Sequence, residues 1–317
     1  MYVSGTLKHC RNRERLDVNG ICVAVLELFF LAQPDAFVDW LNCLVASSVS
    51  MSQLSVTALP FGKTNTHPSV DQVRLLLPQP AVASLIDIIL ADKLHAFVNT
   101  HIPRNYLSET FAGGRPHTQP LDVAHTLHLC LEKSLDLKSS ASVAQLDVKQ
   151  FFDNLPMSKL ARWLSDRHMP CQIISCIFRF QMLVQVRICL SNSFETPVVS
   201  NRGKGGLTGS RVALALARIP IEHLLFEFAD RWRSRSFEKK VSCGSWIDNL
   251  YWVGNNPLET ISMAEDASTF LKSVWGLDVK QGSRVYMASL GHSLIPDDGD
   301  SLALWKRDEI FRALGHT

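Results

Sequence analysis

Two aspartates follow apolar segments at positions where they could together hold metal ions. Asp147 comes directly after the apolar run Val143–Leu146, and Asp248 lies between two short β-rich runs within Val241–Gly254. Carboxylates at the ends of adjacent strands can hold two Mg²⁺ roughly 3.5–4 Å apart, which clamps the attacking and leaving oxygens of a phosphoryl transfer. Mg²⁺ suits such a site because it takes few carboxylates and completes its shell with phosphates and water. The pair therefore predicts metal-assisted phosphoryl transfer.

The order of the elements around the two acids carries this prediction, because a single Asp after an apolar run is more often a cap or a turn residue. Between the acids lies Asn201–Arg211, a glycine-rich basic segment. A helical pattern follows it, with apolar residues at Val212, Leu216, Ile219, Leu224 and Phe228. A glycine loop that opens a helix presents free backbone N–H groups and a positive helix end, which form a ready site for an anion. The segment matches neither a Walker loop nor a dinucleotide fingerprint.

The elements that must position the acids are a strand and a hairpin. Val143–Leu146 is expected to be the strand that delivers the first acid to the edge of a sheet. Asp153, three residues before Pro156, is interpreted as a helix-start residue rather than as a second catalytic acid. Further along the chain, a hairpin is expected with Asp248 and Asn249 at its tip.

The remaining segments predict mostly helical scaffold. Ile21–Ala32 and Ala36–Ser47 have the spacing of a helical pair, and Val82–Thr100 has a longer helical pattern. Ile173–Leu190 is expected to be a helix that runs into a strand. In contrast, Leu59–Pro80 is rich in Pro, Thr, Asn and Gly, so a linker or irregular loops are expected there.

A further glycine-containing turn, Phe111–Pro120, carries Arg115 and His117, whose side chains could meet phosphate. An amphipathic helix is expected directly after it, because Pro120 suits a first helical turn and the next apolar residues fall on one face. Those residues are Leu121, Ala124, Leu127, Leu131 and Leu135.

Composition restricts the class of protein. The 317 residues are 46% apolar and 20% charged, which is typical of a globular protein rather than a disordered one. With 32 basic against 30 acidic residues, bulk charge does not indicate nucleic-acid binding. The eight cysteines contain no C-x-x-C pair, so free thiols in a reducing compartment are expected. No apolar segment approaches the roughly 20 residues of a membrane span. An intracellular protein of the nucleus or cytoplasm, not secreted, is expected.

Taken in order, these segments resemble a reverse transcriptase, specifically the enzymes of non-LTR retroelements and group II introns, over about Pro78 to Leu294. The sequence LDVKQFFDNLP is similar to the first palm motif, Asp-x-x-x-Ala-Phe-Asp. TGSRVALALARIPI is similar to Gln-Gly-x-x-x-Ser-Pro, with Gly209 and Ser210 in place. WIDNLYWVG resembles the Tyr-x-Asp-Asp hairpin, and GGRPHTQPLDVAHTL looks like the finger segment before the palm.

The resemblance implies roles for individual residues. Asp147 and Asp248 would be the catalytic acids, and with the backbone carbonyl of Val148 they would bind two Mg²⁺ or Mn²⁺ ions. Phe152 would screen the sugar 2′ position and so select deoxynucleotides. The residues implied in nucleotide binding are Phe152, Thr208, Gly209 and Arg115.

The chain also departs from the family pattern. Trp246 replaces the hairpin Tyr, Asn249 replaces the second Asp, and Thr208 replaces the Gln. Ser283, with an arginine beside it, stands where the family has a lysine in the helix–strand segment. About 23 residues follow Leu294, so the helical thumb is expected to be missing or truncated.

The fold implied is α+β: a right-hand polymerase with fingers and palm, and an antiparallel palm sheet packed on helices. The domains expected are an N-terminal helical extension over 1–60, fingers over 61–142, the palm over 143–294 and a C-terminal stub over 295–317. The implied function is RNA-directed DNA polymerisation by two-metal nucleotidyl transfer, with an RNA template, a DNA primer and dNTPs as partners and no membrane. One alternative is an inactive or domesticated module that binds nucleic acid. Another is a viral-type RNA-dependent RNA polymerase, which Phe152 disfavours.

Overall fold

The computed structural model describes most of the chain. The described residues are 2–10, 14–17, 20–47, 54–62, 73–101, 121, 125, 129, 132, 136, 141–191, 194–195, 203–235, 243–254, 257–280, 284–288 and 303–304. Helices and two sheets make up a mixed α+β structure. The chain forms two compact units. The first unit comprises Met1–Val98 and Phe152–Leu216, and the second comprises Asn99–Phe151 and Ala217–Thr317.

The elements are numbered in chain order. Within the described residues, the helices are α1 (Tyr2–His9), α2 (Val23–Ala32), α3 (Pro34–Ala46), α4 (Ala81–His101), α5 (Met157–Asp166), α6 (Cys171–Leu183), α7 (Arg211–Arg235) and α8 (Pro257–Phe270), the last continued by a π-helical turn over Leu271–Trp275. The strands are β1 (Ser55–Gly62), β2 (Val73–Leu76), β3 (Ala141–Asp147), β4 (Gln185–Ser191), β5 (Phe194–Glu195), β6 (Cys243–Trp246), β7 (Asn249–Gly254), β8 (Arg284–Ala288) and β9 (Ala303–Leu304).

Most of the predicted helices are confirmed. The predicted helical pair is α2 and α3, which pack together through aromatic side chains. The ring of buried Phe37 contacts Phe29 and Phe30, with centroids 5.2 and 5.7 Å apart. The long predicted helix is α4, and the helix that runs into a strand is α6 followed by β4. Each described position between 121 and 136 is helical and exposed, in agreement with the helix expected there.

The prediction of a linker or irregular loops over Leu59–Pro80 is wrong at 59–62 and 73–76, which belong to strands, whereas 77–80 are irregular as expected and 63–72 lie outside the described residues. In the first unit, β1 and β2 form an antiparallel pair with Leu59 opposite Leu76. The sheet has the order β2-β1-β4-β5, and β1 runs parallel to β4 over Ser55–Ala58 only. Pro60 lies beyond that parallel pairing, where the strand has a partner on one side, and a residue without an N–H is tolerated at such an edge.

The start of α5 also differs from expectation. The helix begins at Met157, Pro156 occupies its N-cap position, and no side chain caps it. Asp153 lies in the preceding turn, four residues before the first helical residue, so it is not the helix-start residue that the sequence predicted. Local polarity alone did not set this boundary, because the proline fixes where the helix begins.

The second unit is built on a sheet of order β6-β7-β3-β8-β9, in which β3 is central and antiparallel to both neighbours. Helix α8 packs against β3, β7 and β8. Side chains at alternate positions of β3 and β7 are buried, namely Ala144, Leu146, Leu250 and Trp252. This confirms the predicted strand and hairpin and the small antiparallel sheet packed on a helix. Among the described helices, none combines the length and apolar content required to cross a membrane.

Candidate functional site

The two predicted acids lie at adjoining strand ends of the second unit. β3 and β7 pair so that Asp147 is opposite Asn249. Just beyond this pair, the backbone N–H of Val148 donates to the carbonyl oxygen of Asp248 at 2.9 Å. The end of β3 and the hairpin therefore place the backbones of Asp147, Val148 and Asp248 side by side, while their catalytic and metal-binding roles stay predictions.

The tip of the hairpin is one residue earlier than predicted. Trp246 pairs with Asn249, so the two-residue loop is Ile247-Asp248 and Asn249 is the first residue of β7. Ile247 has φ 56°, in the left-handed region that a β-branched side chain rarely adopts. Such strain costs about 1–3 kcal/mol and is concentrated at functional sites. The strained residue here directly precedes Asp248.

The side chains that alternate with the buried positions form a polar face of the sheet, which consists of Gln145, Asp147, Asn249 and Tyr251. The Gln145 side chain donates from Nε2 to Asn249 Oδ1 at 3.0 Å and to the Tyr251 hydroxyl at 3.3 Å. Asn249 in turn donates from Nδ2 to Asp248 Oδ1 at 3.2 Å. The carboxylate of Asp248 is thus joined to the polar face through two side-chain amides.

Burial and the negative charges of both acids affect the pKa of Tyr251. Burial raises the pKa of its hydroxyl, and the negative charges of Asp248 and Asp147 raise it further, to about 12. An ionised tyrosine beside two carboxylates is unfavourable, so the hydroxyl stays neutral at physiological pH. The charges of both acids thus act on the same side chain of β7.

A lysine that the sequence analysis missed contacts the first acid. On the side of β3 away from the hairpin, the N–H of Lys280 donates to the Asp147 carbonyl at 2.8 Å, and Val148 and Val279 form an antiparallel bridge. The Lys280 side chain then turns back onto Asp147, with Nζ 2.5 Å from Oδ2. The resemblance directed attention to Ser283 instead, which lies outside the described residues.

The sequence did contain a signal for Lys280. Gly276 ends the π-helical turn with φ 73°, as expected of a helix C-cap, and the following residues alternate apolar and polar from Leu277 onward. That pattern predicts an extended segment from Leu277 to Lys280. This segment ends three residues before Ser283, the position that the resemblance suggested. Its partner on β3, however, is 133 residues away in sequence.

Asp147 and Asp248 are the two carboxylates that this site would offer to a divalent cation. Within the described part of the chain no group of three or more His, Cys, Asp and Glu side chains could enclose a metal ion. A site of two carboxylates suits Mg²⁺, which borrows the rest of its shell from substrate phosphates and water. Lys280 Nζ, lying against Asp147 Oδ2, shows that this carboxylate already accommodates a cation.

The glycine loop in the first unit differs from expectation. The N-terminal N–H groups of α7, from Arg211 and Val212, donate to Asp87 Oδ2 at 2.7 Å and Oδ1 at 3.1 Å. Ser210 Oγ donates to Asp87 Oδ1 at 2.5 Å. Burial raises the pKa of Asp87, while these hydrogen bonds act to lower it. The backbone donors that were expected to bind an external anion are therefore already used by a buried carboxylate of α4.

The same loop packs tightly on the turn before α5. Gly205 has φ 80°, and a Cβ there would lie 2.6 Å from the Asp153 carbonyl oxygen. Its N–H donates to the Leu155 carbonyl, and that of Gly206 donates to the Phe152 carbonyl. Gln181 fixes the loop from the other side by accepting from the Leu207 N–H at 2.8 Å. The loop is therefore held by hydrogen bonds and close packing within the first unit.

The residues predicted to bind nucleotide are distributed differently from the acids. Phe152, Thr208 and Gly209 belong to the first unit, whereas Asp147, Val148 and Asp248 belong to the second. Phe152 and Thr208 are half-buried. Gly209 has φ 89°, and among the described residues only the Leu77 carbonyl lies within 4 Å of where its Cβ would be. Arg115 lies outside the described residues.

The chain is similar to known proteins in structure but not in sequence. No protein-family model matches the chain, and no curated protein matches it in sequence. Among solved structures, the chain is similar to apo telomerase from Candida tropicalis truncated from its C-terminal domain. The TM-score is 0.49 at 8% sequence identity, with 81% of this chain and 56% of the telomerase chain covered. This chain thus spans little more than half of that one, and neither a family nor a function follows from a likeness of this degree.

Proposed function

We propose that the chain is an RNA-directed DNA polymerase core of the reverse-transcriptase type. The observation that carries this proposal is the pairing of β3 with β7, which places Asp147 and Asp248 at adjoining strand ends, where the Val148 N–H donates to the Asp248 carbonyl. Two carboxylates so placed suit two-metal phosphoryl transfer, in which positioning and charge neutralisation do most of the work.

Asp147 and Asp248 would hold two Mg²⁺ or Mn²⁺ ions, which when bound neutralise developing charge on the attacking and leaving oxygens. The Val148 carbonyl is a third candidate ligand. Its N–H donates to the Asp248 carbonyl, and in an extended strand the N–H and C=O of one residue point to the same side. Tyr251, kept neutral, would border the site without adding charge.

The proposed partners are an RNA template, a DNA primer and dNTPs. For sugar selection by Phe152, and for nucleotide contacts by Thr208, Gly209 and Arg115, the support is the resemblance of the surrounding sequence alone. The right-hand arrangement of fingers and palm has the same support. The proposed bounds remain 61–142 for the fingers and 143–294 for the palm, so the glycine loop would belong to the palm.

Primer extension tests the proposal. Purified protein would be given a DNA primer on an RNA template with Mg²⁺ or Mn²⁺, and dNTPs would be compared with NTPs. We expect dNTP incorporation that Asp147→Ala or Asp248→Ala reduces by at least about 100-fold, because each removes a group that neutralises transition-state charge. Asp153→Asn, which changes an exposed acid outside the site, is the matched control and should extend normally. Absence of extension by the wild type under either metal would contradict the proposal.

A second candidate function is a module that binds nucleic acid without polymerising. Two observations favour it: Lys280 neutralises Asp147, and Asn249 replaces an acid beside Asp248. For such a module, RNA would bind tightly in the absence of extension, and Asp147→Ala would leave RNA affinity unchanged. Incorporation of NTPs in preference to dNTPs would instead favour a viral-type RNA-dependent RNA polymerase.

A further inference from the structure

We propose that Gln145 is a positioning residue for the carboxylate of Asp248 and that it acts through the side-chain amide of Asn249. The inference rests on the proposed function and deepens it. The sequence motifs give Gln145 no role, and they present Asn249 only as the loss of an acid.

The three side chains form a continuous hydrogen-bonded series. Gln145 Nε2 lies 3.0 Å from Asn249 Oδ1, and Asn249 Nδ2 lies 3.2 Å from Asp248 Oδ1. The strand pairing supports the series, because Gln145 is directly opposite Tyr251 and Asp147 is directly opposite Asn249. Gln145 thus spans the two neighbouring strands diagonally to reach the residue beside the hairpin loop.

The charge of Asp248 fixes how both amides are oriented. An ionised carboxylate only accepts hydrogen bonds, so Asn249 must present its NH₂ group to Asp248. The carbonyl oxygen of Asn249 then faces Gln145, which must present its own NH₂ group. The second hydrogen of that group goes to the Tyr251 hydroxyl oxygen. Each amide therefore has one productive orientation.

Packing alone does not explain why a glutamine occupies position 145. Its Oε1 is buried, and no described donor reaches it. A buried acceptor left unsatisfied is costly, whereas an apolar side chain of similar size would avoid that cost. The placement is explained if the Nε2 donor is what the site requires.

The series also gives Asn249 a function. An aspartate there would have no hydrogen to donate to Asp248 and would place a second negative charge against it. The Asn249 side chain instead donates a hydrogen bond to the Asp248 carboxylate at the strained hairpin tip. Gln145 donates to Asn249 in turn and so fixes its orientation. Outer partners of metal ligands act in this way, and their loss typically costs about 10- to 100-fold in metal affinity.

A double-mutant cycle on Mn²⁺ affinity tests the inference, with free Mn²⁺ measured by EPR and folding checked by circular dichroism. Gln145→Met keeps the size and removes the donor, and Asn249→Ala removes the intermediate amide. We expect each change to weaken Mn²⁺ binding by about tenfold. The double variant should be no weaker than Asn249→Ala, because Gln145 acts through that residue. Gln185→Met, in a strand of the other sheet, is the control and should bind as the wild type does.

The outcomes separate this inference from the function on which it rests. Wild-type affinity in Gln145→Met, or additive losses in the double variant, would overturn the role of Gln145 while the metal site stands. No Mn²⁺ binding by folded wild type would overturn the metal site and this inference together. If Gln145→Met does not fold, Gln145→Asn provides the same test, because the shorter side chain withdraws the amide from Asn249. In primer extension, kcat should fall while the KM for primer–template stays unchanged, a separation that a general loss of structure would not produce.

Discussion

Lys280 Nζ lies 2.5 Å from Oδ2 of Asp147, the first acid of the proposed metal site. The backbone of Lys280 is bonded to the Asp147 carbonyl as well, so the lysine stays beside this acid whatever its side chain does. A divalent cation that binds Asp147 through Oδ2 must displace the ammonium group. Lysine and metal therefore compete for one carboxylate.

Removing the lysine should raise metal affinity. The side chains of Lys280 and Asp147 are 48% and 29% exposed, and a partly exposed pair is worth at most about 1 kcal/mol. We expect Lys280→Met to bind Mn²⁺ up to about fivefold more tightly, as measured by EPR. Lys272→Met, which breaks an exposed ion pair with Asp278 in the same unit, should leave the affinity unchanged. Equal or weaker binding by Lys280→Met would show that the two cations do not compete.

Relief of backbone strain at the hairpin tip should be measurable as stability. Ile247→Gly removes about 1–3 kcal/mol of strain and adds about 0.5–1 kcal/mol of chain entropy cost. Since the Ile247 side chain is only half-buried, we expect the free energy of unfolding in urea to be unchanged or higher by about 1 kcal/mol. Ile247→Val keeps the strain and should not gain stability. A loss of more than about 1 kcal/mol on Ile247→Gly would contradict this account.

The buried carboxylate of Asp87 should make stability depend on pH. Burial raises its pKa above 3.8 in the folded protein, so the folded state holds the proton more tightly than the unfolded state. The stability that this group contributes is complete below pH 3.8 and is lost as pH rises through the folded-state pKa. The unfolding free energy of the wild type minus that of Asp87→Asn should therefore fall as pH rises from about 3.8. A difference that stays constant or grows over this range would contradict the direction of the shift.

The glycine loop should tolerate substitution at one position and not at another. Gly205→Ala combines a positive φ with a Cβ 2.6 Å from a backbone oxygen, so we expect a loss of about 1–3 kcal/mol or more in unfolding free energy. A Cβ at Gly203 meets no described atom within 4 Å, so Gly203→Ala should change stability by less than about 0.5 kcal/mol. Equal effects of the two substitutions, measured by urea unfolding, would mean that the loop does not pack on the turn before α5 as described.

Local pattern was enough to predict the elements that carry the acids. The apolar run before Asp147 gave β3, and the two β-rich runs around Asp248 gave the hairpin, because alternation and turn residues act over a few positions. The same applies to α4 and α7. The predicted convergence of the two acids depended on their order in the chain, and the pairing of β3 with β7 agrees with it.

Local sequence pattern did not predict the contacts between distant segments. The proline and glycine of β1 suggested an irregular segment. The strand forms nevertheless, since it pairs with β4 between residues about 130 apart in sequence. Local sequence does not indicate a role for Asp87 in α4. Its carboxylate accepts hydrogen bonds from the first N–H groups of α7, which begins 124 residues later. Gln145 and Lys280 are similarly defined by partners more than 100 residues away.

Asp147 and Asp248 are proposed to form one site for two divalent ions. The most direct test of this proposal is the EPR spectrum of Mn²⁺ bound to the wild-type chain with a DNA primer, an RNA template and a dNTP. Two ions roughly 3.5–4 Å apart are exchange-coupled, and this coupled signal should disappear in Asp248→Asn and in Asp147→Asn. A spectrum of isolated Mn²⁺ in the wild type, or a coupled signal that survives either substitution, would contradict the account.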